Sequence, residues 1–508
     1  MQFKDILTQI EEITSCDSFK HVIAKLVYDD FCGTMSEMRN QNVFKTLDYN
    51  EILFLMGLWI KNVDKAKSLP KEYTETNSKL IRDLLEELHK SIFEANKVDI
   101  IKEIKDIVNY KELFFYSPTH AYDIQYANLI YLKYANDWDW IKRNTGFRID
   151  EFQNFFFQIK CTIILRLNDN NFINHAKRKG KLINVFTFDK KRDKSFFKIK
   201  GIEHFLNYFS ISYNEIPKTE LADISDYNLC REKPIIKLEE DRYFIPSSFH
   251  LAEAMWETFY YKMLDTDYSS KALQNRGNFA ENVVYTFLKG CFVNVYKNVI
   301  LYKNKNEQIT DIDVCVIHNG TMIVFMVKSK KLRLLSRKGN ILDVYKDYEN
   351  AILDSFEQGK IAKTSILNKE CIIRNNNDLQ EAINNVNEIF IFTVVLDDYP
   401  FLNFQNHLFH EESPDIPISI SIFDLEAILN YVESPDDFIR YTKIRAALSK
   451  KIIMGSEMAF LELYRTNRNA NFDEYDSVYL ENDWSKSIDA DFYDKLLRGK
   501  SKTFINAN

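Results

Sequence analysis

The chain has 508 residues, room for roughly three domains at about 150 residues each. Hydrophobic residues at 45% and charged residues at 28% exclude wholesale disorder. With only 12 glycines and 9 prolines, collagen-like, linker-rich and many-stranded sandwich architectures are disfavoured against long helices, and a formal charge of -7 leaves any nucleic-acid partner to a local patch.

Residues 1–212 read as helix after helix. Apolar positions recur at spacings of three and four, as in Leu80, Ile81, Leu84, Leu85, Leu88, Ile92 and Phe93, and Ser117-Pro118-Thr119 is a helix-start signal. No fixed-period repeat is visible, so a regular solenoid is unsupported. Tyr110, Phe114, Phe115 and Tyr116 form an aromatic cluster that core packing explains. The run Lys177–Lys200 carries ten basic residues against Asp189 and Asp193, with Phe186, Phe188, Phe196 and Phe197 interleaved. Bases could stack on those rings, but a charge run is more often a solvated face, and that is the expectation here.

Residues 213–275 read as a connector. Pro217, Pro234 and Pro246 flank a short hairpin, Ile235–Leu238 with Arg242–Ile245, and a helix from His250 to Leu264 follows. From 276 to 433 helix and strand alternate. An amphipathic helix at Asn278–Leu288 precedes β-rich runs at Phe292–Tyr302, Thr310–Ile317 and Met322–Ser329. Next come a helix at Asp343–Ala362, an apolar strand at Glu388–Leu396, and a strand at Ile418–Ile422 that leads into a helix near Asp424. Continuous apolar runs between helices indicate a buried central sheet. Residues 434–508 read as a helical extension to Arg465 with a polar tail. The expected class is α+β multidomain: an all-α N-terminal half, an α/β domain with a mixed sheet, and a helical C-terminal extension.

The seven cysteines are widely spaced and form no CxxC pair, which favours a reducing cytoplasm over a disulfide framework or thiolate zinc site. The longest apolar runs, Ile52–Ile60 and Ile389–Leu396, are half a membrane span or less, and the start has no apolar core of signal-peptide length. A cytoplasmic protein with no membrane partner is expected.

The chemistry concentrates in Ile309–Lys330. Asn319-Gly320 between two β-rich runs signals a two-residue hairpin turn. That turn pairs His318 with Thr321, and counting outward sets Asp313 opposite Met326 and Asp311 opposite Lys328. Strict alternation then gathers these four on one face. Burying so much charge is costly unless it is paired or binds a metal. Aspartate oxygens suit Mg²⁺ or Mn²⁺, and a lysine can orient an attacking water and offset phosphate charge. The plainer alternative is an Asp311–Lys328 ion pair at a strand end with Asp313 solvated.

A helix bearing Glu281, three strands carrying Asp313 and Lys328, then a helix and a further strand resemble the restriction-endonuclease-like PD-(D/E)xK nuclease superfamily. The matching residues are Gly277-Asn278-Phe279-Ala280-Glu281, Thr310-Asp311-Ile312-Asp313 and Met326-Val327-Lys328-Ser329-Lys330. The resemblance covers about 277–430 and implies an αβββαβ core and divalent-metal-dependent cleavage of nucleic acid, with DNA the expected substrate and bacterial defence against foreign DNA the expected setting. It makes Asp313 the principal metal ligand, Asp311 or Glu281 the second carboxylate, and Lys328 the group that positions water or phosphate. One departure stands out: Met326 occupies the place of the family's second carboxylate, and a thioether is a poor ligand for a hard cation. The alternative is therefore a catalytically degenerate nuclease fold kept for nucleic-acid binding or protein scaffolding. A weaker third is a helical interaction protein whose α/β domain stabilises an assembly.

The basic segment Lys328–Lys338, with Lys330, Lys331, Arg333, Arg337 and Lys338 and no acidic residue, is placed to receive phosphates beside that site. Asp343, Asp347 and Glu357 on the following helix read as a solvated face from which one could face the metal. His407-Leu408-Phe409-His410 lacks the third ligand of a zinc site. Phosphate-loop, dinucleotide and GxSxG motifs are missing. The helical N-terminal half would recognise a substrate or protein partner, or self-associate.

Overall fold

The structure, a computed structural model, describes residues 3–32, 47–64, 72–94, 121–213, 215–217, 220–337, 340–374, 376–397, 399, 403, 406, 416–467, 476–480 and 484–502. The aromatic cluster at 110–116, the helix start at 117–119 and the HxxH run at 407–410 lie outside them. The chain divides into two compact units, Met1–Ile107 with Tyr122–Ala272, and Val108–Ala121 with Leu273–Asn508. The stretch read as a connector groups with the first unit as far as Ala272.

Helices dominate the first unit: α1 (Phe3–Thr14), α2 (Phe19–Phe31), α3 (Tyr49–Asn62), α4 (Glu72–Glu94), α5 (Asp123–Lys133), α6 (Trp138–Thr145), α7 (Ile149–Asn168), α8 (Asn170–Lys179) and α9 (Ile183–Phe186). The periodic run at 80–93 lies on α4, with Ile81, Leu84, Leu85 and Leu88 buried. A reciprocal cap starts α3. Asp48 accepts from Asn50 N, and Glu51 accepts from Asp48 N at 2.8 Å, which satisfies backbone donors that a helix start leaves open.

The N-terminal half is not wholly helical. β1 (Thr187–Asp189) and, after α10 (Ile202–Tyr208), β2 (Ser210–Ile211) join the hairpin β3 (Ile235–Glu239) and β4 (Arg242–Phe244) in a sheet of order β1-β4-β3-β2. Strands of three and two residues are too short to impose a period of two on the surrounding helical pattern. Phe186, Phe188 and Phe196 are buried around them, so these rings serve the core and are closed to stacking bases. The helix expected at 250–264 is α11 (Ser248–Leu264), capped by Ser247 Oγ accepting from His250 N at 3.3 Å.

The second unit carries the mixed sheet. After α12 (Ser269–Lys289), which begins nine residues before the expected Asn278, come β5 (Val295–Asn304), β6 (Glu307–His318) and β7 (Thr321–Lys328). There follow α13 (Leu334–Arg337), α14 (Ile341–Tyr348), a π-helical turn at Glu349–Leu353, α15 (Asp354–Leu367), α16 (Asn377–Asn384), β8 (Glu388–Val395), β9 (Ile418–Ser421), α17 (Ile422–Tyr431) and α18 (Pro435–Ala447). The sheet order is β5-β6-β7-β8-β9, antiparallel through β7 and parallel from β7 to β9. At the hairpin tip Asn319 and Gly320 both have positive φ, 48° and 77°, as the two-residue turn requires, and His318 pairs with Thr321.

Helix α15 packs across β6, β7 and β8 on an apolar cluster that includes Ile312, Cys315, Met322, Val324, Met326 and Ile391. The close approach depends on Gly359: a Cβ there would meet Ile391 Cγ2 at 2.7 Å and Met326 Cγ at 3.4 Å. Phe325 and Phe392 stack at 5.5 Å, with Phe438 of α18 at 6.4 and 6.3 Å from them, so α18 adds a further layer to the sheet. The C-terminal extension holds α19 (Glu457–Thr466) and α20 (Lys486–Leu497), but also a parallel pair, β10 (Ile452–Met454) with β11 (Val478–Leu480).

Candidate active site

The antiparallel ladder between β6 and β7 ends at Val314 opposite Phe325. Beyond that pair no strand carbonyl meets the Val327 N–H. The Asp313 carboxylate does, accepting through Oδ2 at 2.7 Å, and a charged acceptor makes this bond stronger than the ladder bond it replaces. A carboxylate thus sits in the fork of two strands, with Oδ1 left for other partners.

The alternation of faces breaks here, and this corrects the arrangement expected from the turn. Ile312 and Cys315 share one apolar cluster, although an odd separation sets two strand residues on opposite faces. Asn298, which extrapolates to the position opposite Asp313 on β5, has a φ of 54° and interrupts the pleat of that strand. Met326 is 0% exposed in the same cluster beneath α15. Strict alternation therefore does not hold through Asp313, and Met326 belongs to the apolar core and not to the group of charged side chains.

Asp311 is held from the helix layer. Gln358 of α15 donates through Nε2 to Asp311 Oδ1 at 3.0 Å and to the Asp311 carbonyl at 3.3 Å. Glu281 approaches from α12, whose neighbour Asn282 accepts from Lys297 Nζ of β5 at 2.5 Å. The start of α12 is tied to the ends of β7 and β8: Arg276 Nε donates to the Ser329 carbonyl at 2.8 Å, and Nη2 pairs with the buried Asp397. Lys328 closes the last β7–β8 pair, opposite Val395, and its ammonium makes no ion pair within 4.0 Å among the described residues.

Electrostatics joins these groups into one site. Burial raises the Glu281 carboxyl above its ordinary range, the Asp313 and Asp311 charges raise it further, and Lys297 and Lys328 oppose them. Asp313 is also raised, first by burial and then by Asp311, against the Val327 bond and the Lys328 charge. Glu281 and Asp313 thus each feel the Asp311 and Lys328 charges, and burial outweighs the ammonium groups that oppose it. These carboxylates and Lys328 gather at the carboxyl ends of the parallel strands β7 and β8, where open α/β sheets bind ligands.

The basic segment divides. Arg333 is committed internally: it donates from N and Nε to Asp347 at 2.8 Å each and pairs with Asp343 at 2.7 Å. Asp347, expected on a solvated face, is 0% exposed and also accepts from Ser336 Oγ at 2.6 Å. A buried carboxylate needs such partners, so the arginine closest in sequence satisfies it. Lys330 is 3.8 Å from Asp347 and partly exposed, and Lys331 is half-buried. The Arg337 side chain and Lys338 lie outside the described residues.

The sequence reading missed Gln358, the Val327 N–H, Lys297 and the Arg276–Asp397 pair. A glutamine beside Glu357 on a helix carries no signal until the strand it faces is known, and the other three act through backbone or through pairs distant in sequence. Among the described residues no three His, Cys, Asp or Glu side chains converge in a preformed metal cage. Comparison of the chain with protein-family models, with curated proteins and with solved structures finds no match.

Proposed function

We propose that the chain is a divalent-metal-dependent nuclease built on a restriction-endonuclease-like core, with DNA as the expected substrate. The observation that carries this reading is the fork of β6 and β7, where Asp313 and Glu281 remain incompletely neutralised beside Lys328. The order α12, β5, β6, β7, α15, β8 is that of an αβββαβ core and supports it.

The donor set fits Mg²⁺ or Mn²⁺, which bind through one or two carboxylates and leave their other positions to water and substrate phosphate. Asp313 would hold the ion through its spare oxygen, with Glu281 or Asp311 as the second carboxylate. The bound ion would polarise the phosphoryl group and neutralise its charge. Lys328 then faces the phosphate as a fixed cation, Gln358 holds Asp311 in place, and Lys330 and Lys331 line the approach for the backbone.

The second reading, a degenerate nuclease fold that binds without cutting, is favoured by the burial of Met326 in the apolar cluster, where the family's second carboxylate would stand. One assay separates the two. Single- and double-stranded DNA and RNA are incubated with the protein and Mn²⁺, Mg²⁺ or EDTA, beside Asp313→Ala, Glu281→Gln and Lys328→Ala. Nuclease action appears as metal-dependent cleavage that each substitution lowers by roughly 10²–10³-fold. Binding without cleavage under every condition leaves the second reading. Met326→Glu buries a charge under α15, so it is expected to lower stability, not to supply a ligand.

A further inference from the structure

Two neighbouring strands share one irregularity. Tyr296 and Val299 of β5 pair with Cys315 and Ile312 of β6, and all four pack in or against the apolar cluster beneath α15. Residues three apart thus reach the same side on both strands, which frees the pairs between them, Lys297-Asn298 and Asp313-Val314, from strict alternation. Lys297 lies opposite Val314, one step from Asp313. Its Nζ donates to Asn282 Oδ1 of α12 at 2.5 Å. Asn282 adjoins Glu281, so this bond fixes an ammonium near the carboxylate that α12 brings to the site.

That bond uses one of the three donors of the ammonium, and the Lys297 side chain is partly exposed. Its charge acts on Glu281 more strongly than that of Lys328 does. The two lysines stand on β5 and β7, the strands that flank β6, so their backbones are two strand spacings apart, roughly 10 Å. They are also displaced along the sheet: Val314 pairs with Lys297 on one side and Phe325 on the other, and Lys328 lies three residues beyond Phe325. That separation, across and along the sheet, suits two phosphates of one nucleic-acid strand, not two oxygens of one phosphate.

We propose that Lys297 is a second phosphate-contacting cation of the candidate active site, so that the site grips a polynucleotide at two phosphates, one at Lys328 and another at Lys297. The proposal rests on the nuclease reading for the class of ligand and extends it to a requirement for a strand with more than one phosphate. Contacts to a phosphate away from the reacting one fix the register of the backbone without reading its sequence.

The test uses the full chain with Ca²⁺ in place of Mg²⁺ and follows binding of fluorescein-labelled single- and double-stranded DNA and RNA by anisotropy over a series of salt concentrations. Each neutralised phosphate contributes about 0.9 to the slope of log K against log salt for duplex DNA, and about 0.7 for a single strand. Lys297→Gln, which keeps an N–H donor toward Asn282, should lower the slope by about one such contribution, whereas Lys297→Arg should hold it near the parent's. Lys328→Gln should lower it by the same amount, and the double substitution by about twice as much, since the two cations meet different phosphates. A strut that only ties β5 to α12 would leave the slope where it is. The proposal is overturned if Lys297→Gln does not change the slope, if the double variant loses no more than either single one, or if the parent binds none of the four nucleic acids. Because the readout is binding, a parent that cleaves nothing with Mg²⁺ or Mn²⁺ removes the nuclease reading while the slopes still decide the role of Lys297.

Discussion

Asp313 and Asp424 are both carboxylates that burial pushes toward the neutral form, and the fold treats their charge differently. Asp313 has a backbone donor and the Lys328 charge, and it stands in an open fork. Asp424 is 1% exposed at the start of α17, where Oδ2 accepts from Ser421 N at 2.8 Å and Ser421 Oγ at 2.7 Å, and Oδ1 has no hydrogen-bond partner among the described residues. Burial pushes it up to about 7, the neighbouring Glu457 charge adds to this, and Arg445 and the Ser421 bonds oppose it. A raised folded-state value means that the native state prefers the protonated form. Stability therefore falls as pH climbs from near 4, where the unfolded group ionises, to about 7, and is flat above. Asp424→Asn keeps an oxygen for the Ser421 cap and removes the charge, so its melting temperature should exceed that of the parent by more at pH 8 than at pH 5. Each kcal/mol relieved is worth roughly 2–4 °C in a domain of this size. Thermal unfolding at the two pH values checks this, and an identical gain at both would remove titration of Asp424 as the cause. The serine-to-aspartate cap spacing is readable in the sequence. The titration is not, because it depends on Glu457 and Arg445 from other helices.

At the scale of elements, the β6–β7 hairpin was the most legible part of the second unit. Asn319-Gly320 admits few conformations, and the register it sets holds from the turn to Val314 and Phe325. The reading failed one residue later, at Asp313, because strict alternation takes no account of a positive φ at Asn298 on the neighbouring strand. The short strands β1, β2, β10 and β11 were missed for a related reason: tertiary pairing, not a local period, makes them strands. Helix α15 gives the clearest case of function hidden at this scale. The π-helical turn at Glu349–Leu353 inserts extra backbone just before it, which rotates the following residues relative to a plain helix and is common near functional sites. Gln358 then meets Asp311, and Gly359 meets Ile391. Gln358→Ala should release Asp311 and lower metal-dependent cleavage about tenfold or more, in the range seen when a group supporting a metal ligand is removed. Its melting temperature should stay near that of the parent. A cleavage rate equal to the parent's would show that Asp311 needs no support from α15.

For the whole molecule, the scarcity of glycine matters through where the few glycines stand. Gly57 lies in α3 of the first unit, where a Cβ would meet Leu221 Cδ2 at 2.5 Å and the Asn228 amide at 2.6 and 2.7 Å. Asn228 cannot easily give way, since it donates to the Leu53 carbonyl at 2.7 Å and accepts from Cys230 N at 3.0 Å. Gly359 holds the corresponding place in the second unit, against the β-branched Ile391. Each contact is internal to one compact unit with its own core, and overpacking of this kind costs about 1–3 kcal/mol. Four of the five tryptophans, Trp59, Trp138, Trp140 and Trp256, belong to the first unit, so indole fluorescence reports chiefly on that unit. Gly57→Ala should therefore lower the fluorescence-detected unfolding midpoint and leave amide protection in β7 and β8 near the parent level. Gly359→Ala should do the reverse. If either substitution lowers both readouts to the same extent, the two units unfold as a single cooperative body, and strain at α15 is then felt through the whole chain instead of only at the sheet it packs on.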